Sequence, residues 1–392
     1  MGLFSRTIKK EKLSLVIDIG SASVSAALVD FSGDNKPKIL LAEIREIALD
    51  HDLNFERFEK AMLSAFDASV SAIFHAKKPV PEEAHIFLAS PWYAAQTRVI
   101  KSDKHTPFTV TSKLLKELTD KETKAFESTE LAKYEQAGAS ARILERKTID
   151  IKLNGYTTAD PVGKRATELS MNLFISMSPE SVLSRIEESL EKHFRISRVH
   201  FSSFLFSSFV VVRDLFISES DFLLLDIGGE VTDISIIKKG ALVESASFPL
   251  GRNFLMRRLG VFGAERTPAS MLSLYLRGTL EPAFASKVGT VLDEAKAQWL
   301  ATFQKALFEL SNDLLIPEKI FLMVDGDVSE WFVKAMEKEE FNQYSLTKKE
   351  FSILPLGPEY LHQYLEHDEG VERSPFIMLE SVFVARHPKG SI

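Results

Sequence analysis

The chain of 392 residues contains no cysteine. That excludes disulfide scaffolds, thiolate-bound zinc and cysteine nucleophiles, and it is what a reducing cytoplasm leads one to expect. Long apolar runs are also missing. No stretch reaches the roughly eighteen apolar residues that a membrane-spanning helix needs, so no transmembrane segment is expected. Leu3 and Phe4 are followed at once by polar and basic residues, unlike the core of a signal peptide. Arg6 stands where a myristoylation pattern wants Ser or Thr. A net charge of −7, without a basic aromatic-rich stretch, gives no footprint for nucleic acid. The nine histidines show no ligand spacing on a common face, and none pairs with a glycine-flanked serine. Metallohydrolase and serine-hydrolase chemistry therefore lack support. What remains is an ordinary globular composition in a chain long enough for two domains.

Two segments share one pattern. Residues 223–237 read as an apolar strand, then Asp226-Ile227-Gly228, a small turn and a second β-rich strand. Residues 15–29 repeat it more weakly around Asp18-Ile19-Gly20. Each is a hairpin with a carboxylate at the strand end and a flexible tip. Glycine at such a tip lets backbone N–H groups approach a phosphate, and the neighbouring Asp can orient a hydrated divalent metal. Asp18 and Asp226 lie 208 positions apart, as the matching points of two similar half-chains would.

Residues 1–12 read as a flexible basic arm carrying Arg6, Lys9, Lys10 and Lys12. A third strand falls near residues 38–44. An amphipathic helix over 55–74 follows, with Phe55, Phe58, Met62, Phe66 and Val70 at helical spacing. Residues 82–177 look like a separate insertion. They hold a strand near 93–101, a charged helix over 113–136 capped by Thr111, and two strands near 143–153 and 169–177. The expected partition is a first lobe of 13–81 and 178–219 carrying that insert. A second lobe comprises 220–258 and 318–392, with a helical subdomain at 259–317. The apolar run 376–385 is expected to pack on the second lobe.

The paired hairpins and the insert's strand–helix–strand–strand pattern resemble the actin-like ATPase superfamily, FtsA/PilM type. Asn154-Gly155-Tyr156 with Asp160-Pro161-Val162-Gly163, the turn Phe248-Pro249-Leu250-Gly251, and the run from Ile320 to Asp327 add local similarity. The resemblance implies an α/β, two-lobed actin-like (ribonuclease H-like) ATPase fold with the insert in the first lobe. It implies ATP and Mg2+ in the cleft. Asp18 and Asp226 would organise the metal through water and any hydrolysis. Gly20, Ser21 and Ser23 would form one phosphate clamp, Gly228, Gly229 and Thr232 the other, and Gly326 would pass under the base. Asp233 reads better as a hairpin pair than as a site residue.

The chain departs from that pattern at several points. Glu230 replaces a third glycine, and its carboxylate is expected to repel a terminal phosphate if desolvated. Arg252 replaces the second glycine of the turn after the second hairpin. After Pro268, Ser270 and Ser273 stand where a Glu/Lys pair would hold the ribose. Gly326 is flanked by Asp325 and Asp327 rather than by a second glycine. These departures predict weak ATP binding and at most weak turnover. The function implied is a cytoplasmic scaffold, peripheral at the inner face of the cell membrane through protein partners and able to self-associate into dimers or filaments. It would serve a type IV pilus or secretion alignment complex, or a cell-division ring. A sugar-type kinase of the same superfamily is the alternative.

Overall fold

The computed structural model describes residues 12–33, 36–50, 54–76, 80–136, 140–263, 266–311, 315–337 and 350–387. Apart from Lys12, the N-terminal basic arm lies outside them. The chain opens with β1 (Leu13–Ile19), β2 (Ser23–Asp30), β3 (Lys38–Glu46), α1 (Phe55–His75) and β4 (Glu83–Leu88). The insert follows as β5 (Ala94–Thr109), α2 (Ser112–Gln136), β6 (Ala141–Leu153), the two-residue β7 (Tyr156–Thr157) and β8 (Arg165–Pro179). Then come α3 (Glu180–Phe194), β9 (Val199–Ser203) and α4 (Phe204–Leu215). The second half holds β10 (Phe222–Ile227), β11 (Thr232–Lys238), β12 (Ala241–Phe248), α5 (Arg252–Leu259), α6 (Pro268–Leu276) and α7 (Pro282–Leu310). It continues with β13 (Lys319–Val324), α8 (Gly326–Glu337), β14 (Ser352–Pro355), α9 (Pro358–Leu361), β15 (Glu366–His367) and α10 (Pro375–Arg386).

The strands form three sheets, ordered β15-β3-β2-β1-β4-β9, β12-β11-β10-β13-β14 and β5-β8-β6-β7. The first two are built alike. In each, a fully buried strand, β1 or β10, pairs antiparallel with the next strand and parallel with a later one. Burial on both faces explains why these two strands read as continuous apolar runs. Equivalent registers place Asp18 opposite Ser25 and Asp226 opposite Asp233.

Local signals set the helices. The Asn54 side chain caps α1 by accepting from Arg57 N–H, and Phe58, Met62, Phe66 and Val70 are its buried stripe. Phe55 begins that stripe in sequence but stays half exposed, its ring beside Trp92. The Thr111 hydroxyl accepts from Leu114 N–H at the start of α2. The insert has its own sheet and a small core around Ile100, Phe126, Leu169 and Met171.

Two expectations about the partition need correction. β4, at the start of the stretch read as an insertion, lies inside the first sheet between β1 and β9. Its apolar residues Ile86, Phe87 and Leu88 belong to that core. The C-terminal run does not pack on the second sheet. β15 returns to pair with β3, and α10 lays Ile377, Met378, Leu379, Val382 and Phe383 into the first core. Phe383 meets Phe87 edge-to-face at 5.8 Å. The run is apolar nearly all round, which signals burial but not which sheet covers it.

Truncating Leu379 to Ala removes side-chain volume from a fully buried site. The expected cost is about 2–5 kcal/mol, borne by the first lobe and the part of its core shared with Phe222, Phe321 and Met323 of the second sheet. In a Trp299→Phe, Trp331→Phe background, Trp92 is the remaining tryptophan and reports that lobe. An unchanged denaturant midpoint of its signal would contradict this placement of α10.

Candidate functional site

The cleft floor is where the two hairpins meet. Both tips close with the same bond, Gly20 N–H to the Ser23 carbonyl at 3.1 Å and Gly228 N–H to the Val231 carbonyl at 3.0 Å. The first tip is braced from behind by Trp92, whose indole N–H donates to the Gly20 carbonyl at 2.7 Å while its ring stacks on Phe58. The second is braced by α5, whose first N–H groups, from Arg252 and Asn253, reach the carbonyls of Gly228 and Gly229 at 2.8 and 2.7 Å.

The tips touch one another. Glu230 N–H donates to Ser21 Oγ at 2.9 Å. A Cβ on Gly229 would lie 2.3 Å from Ala22 N, and one on Gly251 would lie 2.3 Å from the Gly228 carbonyl oxygen. Only glycine allows these approaches.

Glu230 neither faces an open phosphate position nor points to solvent. Its carboxylate is buried and held bidentately by Arg257, at 2.7 and 2.8 Å, with Asn253 Nδ2 donating at 2.8 Å. The expectation of a repulsive carboxylate is thereby corrected, because its charge is matched locally. Asn253 Nδ2 also reaches the Ser21 carbonyl at 3.5 Å, and Arg257 Nε donates to the Asp50 carbonyl at 2.8 Å. The departure at Arg252 is matched in the same way. Arg252 grips Asp327 with two nitrogens, the shorter contact 2.7 Å, and lies 3.6 Å from Asp325.

Beneath the tips is a group of buried carboxyls. Asp18 is pushed up to about 8, first by burial and then by the charge of Asp325. Burial also raises Asp226 well above the ordinary range, with Asp233, Asp18 and Asp325 adding to it. Asp325 rises to about 6 through burial, held back by Arg252. Glu380 of α10 reaches this group from the first lobe and is raised by burial and then by Asp18. Asp18 Oδ1, Asp226 Oδ1 and both Glu380 oxygens have no donor partner. Burial without a donor favours the protonated form of these acids.

The structure thus brings together Asp18, Asp226, Gly20, Ser21, Gly228 and Gly229. Ser21 Oγ accepts from Glu230 N–H. Ser23 begins β2, and its carbonyl closes the first tip. The Thr232 hydroxyl donates to the Leu250 carbonyl at 2.7 Å and is fully buried, so it ties β11 to the turn before α5. Asp233 accepts from Ser247 on the neighbouring strand. Gly326 opens α8 and, with Ser273, Leu276, Arg277, Asp327 and Glu330, lines a cavity of about 300 Å³. Ser270 is exposed, and its N–H turns to the capping Thr267 hydroxyl. Sequence reasoning missed Glu380, Asn253 and Arg257. The signal for Glu380 was one acid inside an otherwise apolar helix.

ATP and Mg2+ fit this arrangement unevenly. The free oxygens of Asp18 and Asp226 suit a hydrated cation. Among the described residues, however, no three carboxylate or imidazole groups could hold a metal ion directly. Contact between the tips leaves no gap for the terminal phosphates. The residues as arranged do not accept them.

No protein-family model matches the chain, and no curated protein matches it. Solved structures do. A chain of the PilM–PilN type IV pilus biogenesis complex matches with a TM-score of 0.60 at 12% identity, covering 95% of this chain and 98% of that one. A Bacteroides thetaiotaomicron protein of unknown function with an actin-like ATPase fold matches at 12% identity and TM-score 0.41, over 98% and 99%. The ethanolamine utilization protein EutJ from Carboxydothermus hydrogenoformans matches at 9% identity and TM-score 0.42, over 95% and 89%. The fold is therefore the two-lobed actin-like ATPase fold, with a strand–helix–strand–strand insert in the first lobe.

The buried acids give the cleft a pH signature. A carboxyl whose folded pKa is raised adds stability that is complete below its unfolded value of 3.8 and is lost as pH rises through the folded one. For Asp325 and Asp18 that loss runs through about 6 and about 8. Asp18→Asn should therefore flatten the upper part of the decline when denaturant midpoints are compared with those of the unmodified protein. Parallel curves would show that Asp18 is not protonated in the folded state.

Proposed function

We propose that this protein is an actin-like scaffold of the PilM kind, which assembles a membrane-associated machine through protein partners and binds nucleotide weakly at most. The observation that carries this reading is the cleft itself. Where small residues would leave room for phosphate, the chain places Glu230 and Arg252 and neutralises both with its own charges. Catalysis of phosphoryl transfer rests on positioning and electrostatic stabilisation of the transferred group. Tips in mutual contact provide neither. Likeness over nearly the whole length to a chain from the PilM–PilN complex supports a scaffold role exercised through a protein partner. Among the described residues no helix is long and apolar enough to cross a membrane, so attachment would run through that partner.

The insert supplies the place for it. A cavity of about 370 Å³ lies between β6 of the insert, the edge strand β9 and α10, with Arg142, His200, Phe201, Phe383 and His387 in its wall. Its geometry is fixed by Glu145 of β6. The buried carboxylate accepts from Ser203 N–H at 3.1 Å, Ser203 Oγ at 2.6 Å and Ser176 Oγ at 3.0 Å. Ser203 ends β9 and stands immediately before α4, so a side chain of the insert grips the junction between that strand and that helix. An extended partner segment could run along β9, gaining backbone hydrogen bonds from the edge and side-chain contacts from the cavity.

The test combines turnover with membrane recovery. Purified protein with Mg-ATP should release phosphate far below the roughly 1 s⁻¹ lower bound of ordinary enzymes. In cells that carry its machine the protein should sediment with membranes, and Phe201→Asp should move it to the supernatant without lowering its melting temperature substantially. Ordinary enzymatic turnover, with no membrane recovery, would instead favour a phosphotransferase.

A further inference from the structure

We propose that Glu230, Asn253 and Arg257 form a built-in clasp that holds the two lobes closed in place of a nucleotide. Closure is then set by the protein's own charges and not by ATP. This goes beyond the scaffold reading, which requires no particular state of the cleft.

Among the described residues, three hydrogen bonds from this group cross between the lobes at this point. Glu230 N–H reaches Ser21 Oγ, Asn253 Nδ2 reaches the Ser21 carbonyl, and Arg257 Nε reaches the Asp50 carbonyl. The Glu230 carboxylate is the anion that organises the donors. It offers two oxygens to one guanidinium and shares one of them with an amide. A guanidinium binds phosphate with the same fork geometry. Glu230 therefore supplies from the chain what a bound phosphate would supply from a ligand, a negative group on which donors converge.

The surroundings keep it there. The first N–H groups of α5, a natural anion site, are already used by the carbonyls of Gly228 and Gly229. Glycine at 229 lets the second tip close onto Ser21 and Ala22 of the first, and glycine at 251 lets α5 start against the carbonyls of Gly228 and Gly229, so the clasp sits on touching main chains. The pair of Arg252 with Asp327 and Asp325 fixes α5 against α8, so the helix that carries both Asn253 and Arg257 is anchored within its own lobe. An entering phosphate would have to break the Glu230 pair and part the tips together.

The absence of cysteine makes a direct test available. Spin labels at Ser181→Cys on α3 and Asp293→Cys on α7, both exposed positions, report the distance between the lobes. The expected result is one narrow distance distribution in the otherwise unmodified protein, unchanged by Mg-ATP at millimolar concentration. Glu230→Ala combined with Arg257→Ala removes both charges together and should broaden the distribution at least twofold. Arg257→Lys keeps the charge, and with it the fold, but loses the fork and the Asp50 contact, and it should broaden the distribution by a smaller amount. A distribution that is broad in the unmodified protein, or that narrows when ATP is added, overturns the proposal. So does an Arg257→Lys distribution as narrow as that of the unmodified chain. Either outcome leaves partner recovery on membranes as a separate measurement, so failure of the clasp is distinguishable from failure of the scaffold reading.

Discussion

The structure turns on the contact between two hairpin tips. Each tip ends the central strand of its sheet, so the position of one tip against the other fixes how the two main sheets face each other. The contact is made by main chain and one hydroxyl, at distances that exclude any side chain at Gly229. Everything charged around it follows from that closeness. Once the tips touch, the second loop has no phosphate to receive, and a carboxylate at 230 needs donors of its own. Asn253 and Arg257, one turn apart on α5, supply them.

The same contact accounts for the acids below. Under closed tips Asp18 and Asp226 are desolvated, and desolvation is the first cause of the rise in both. Two carboxylates cannot both stay charged in such a space, and proton uptake relieves the conflict at lower cost than separation would. Glu380 adds a third from the C-terminal helix. It therefore links the end of the chain to the strand that begins the first sheet.

Much of this was legible in the sequence, for physical reasons. The hairpins at Asp18 and Asp226 announce themselves because strand, turn and strand are encoded locally, and their repetition implies two similar halves. The helix over 112–136 and its Thr111 cap are local in the same way. The errors were of the opposite kind. A short apolar strand such as β4 carries no label for its neighbours, so its place between β1 and β9 is not written in its own residues. α10 was assigned to the wrong sheet because an all-round apolar helix states only that it is covered. Pairings between Glu230 and Arg257, 27 positions apart, and between Arg252 and Asp327, 75 apart, are tertiary facts. The sequence showed charges at 230, 252 and beside Gly326 where small residues were expected, without showing that Arg257 matches Glu230 and that Arg252 and Asp327 match each other.

That cancellation bears on how the cleft should be understood. A site losing its ligand by drift would collect substitutions one at a time, and a lone carboxylate in a desolvated cleft would cost several kcal/mol. Here Glu230 is held bidentately by Arg257 and Asp327 by two nitrogens of Arg252, and the glycines needed for close backbone approach, at 229 and 251, are present. The arrangement is internally consistent at the level of charge, donor count and sterics together. Consistency of that kind describes a closed joint between two lobes more simply than it describes an enzyme site with defects. The insert, tied to the first lobe through Glu145, then has a fixed relation to the whole two-lobed body, which is what a scaffold must offer its partners.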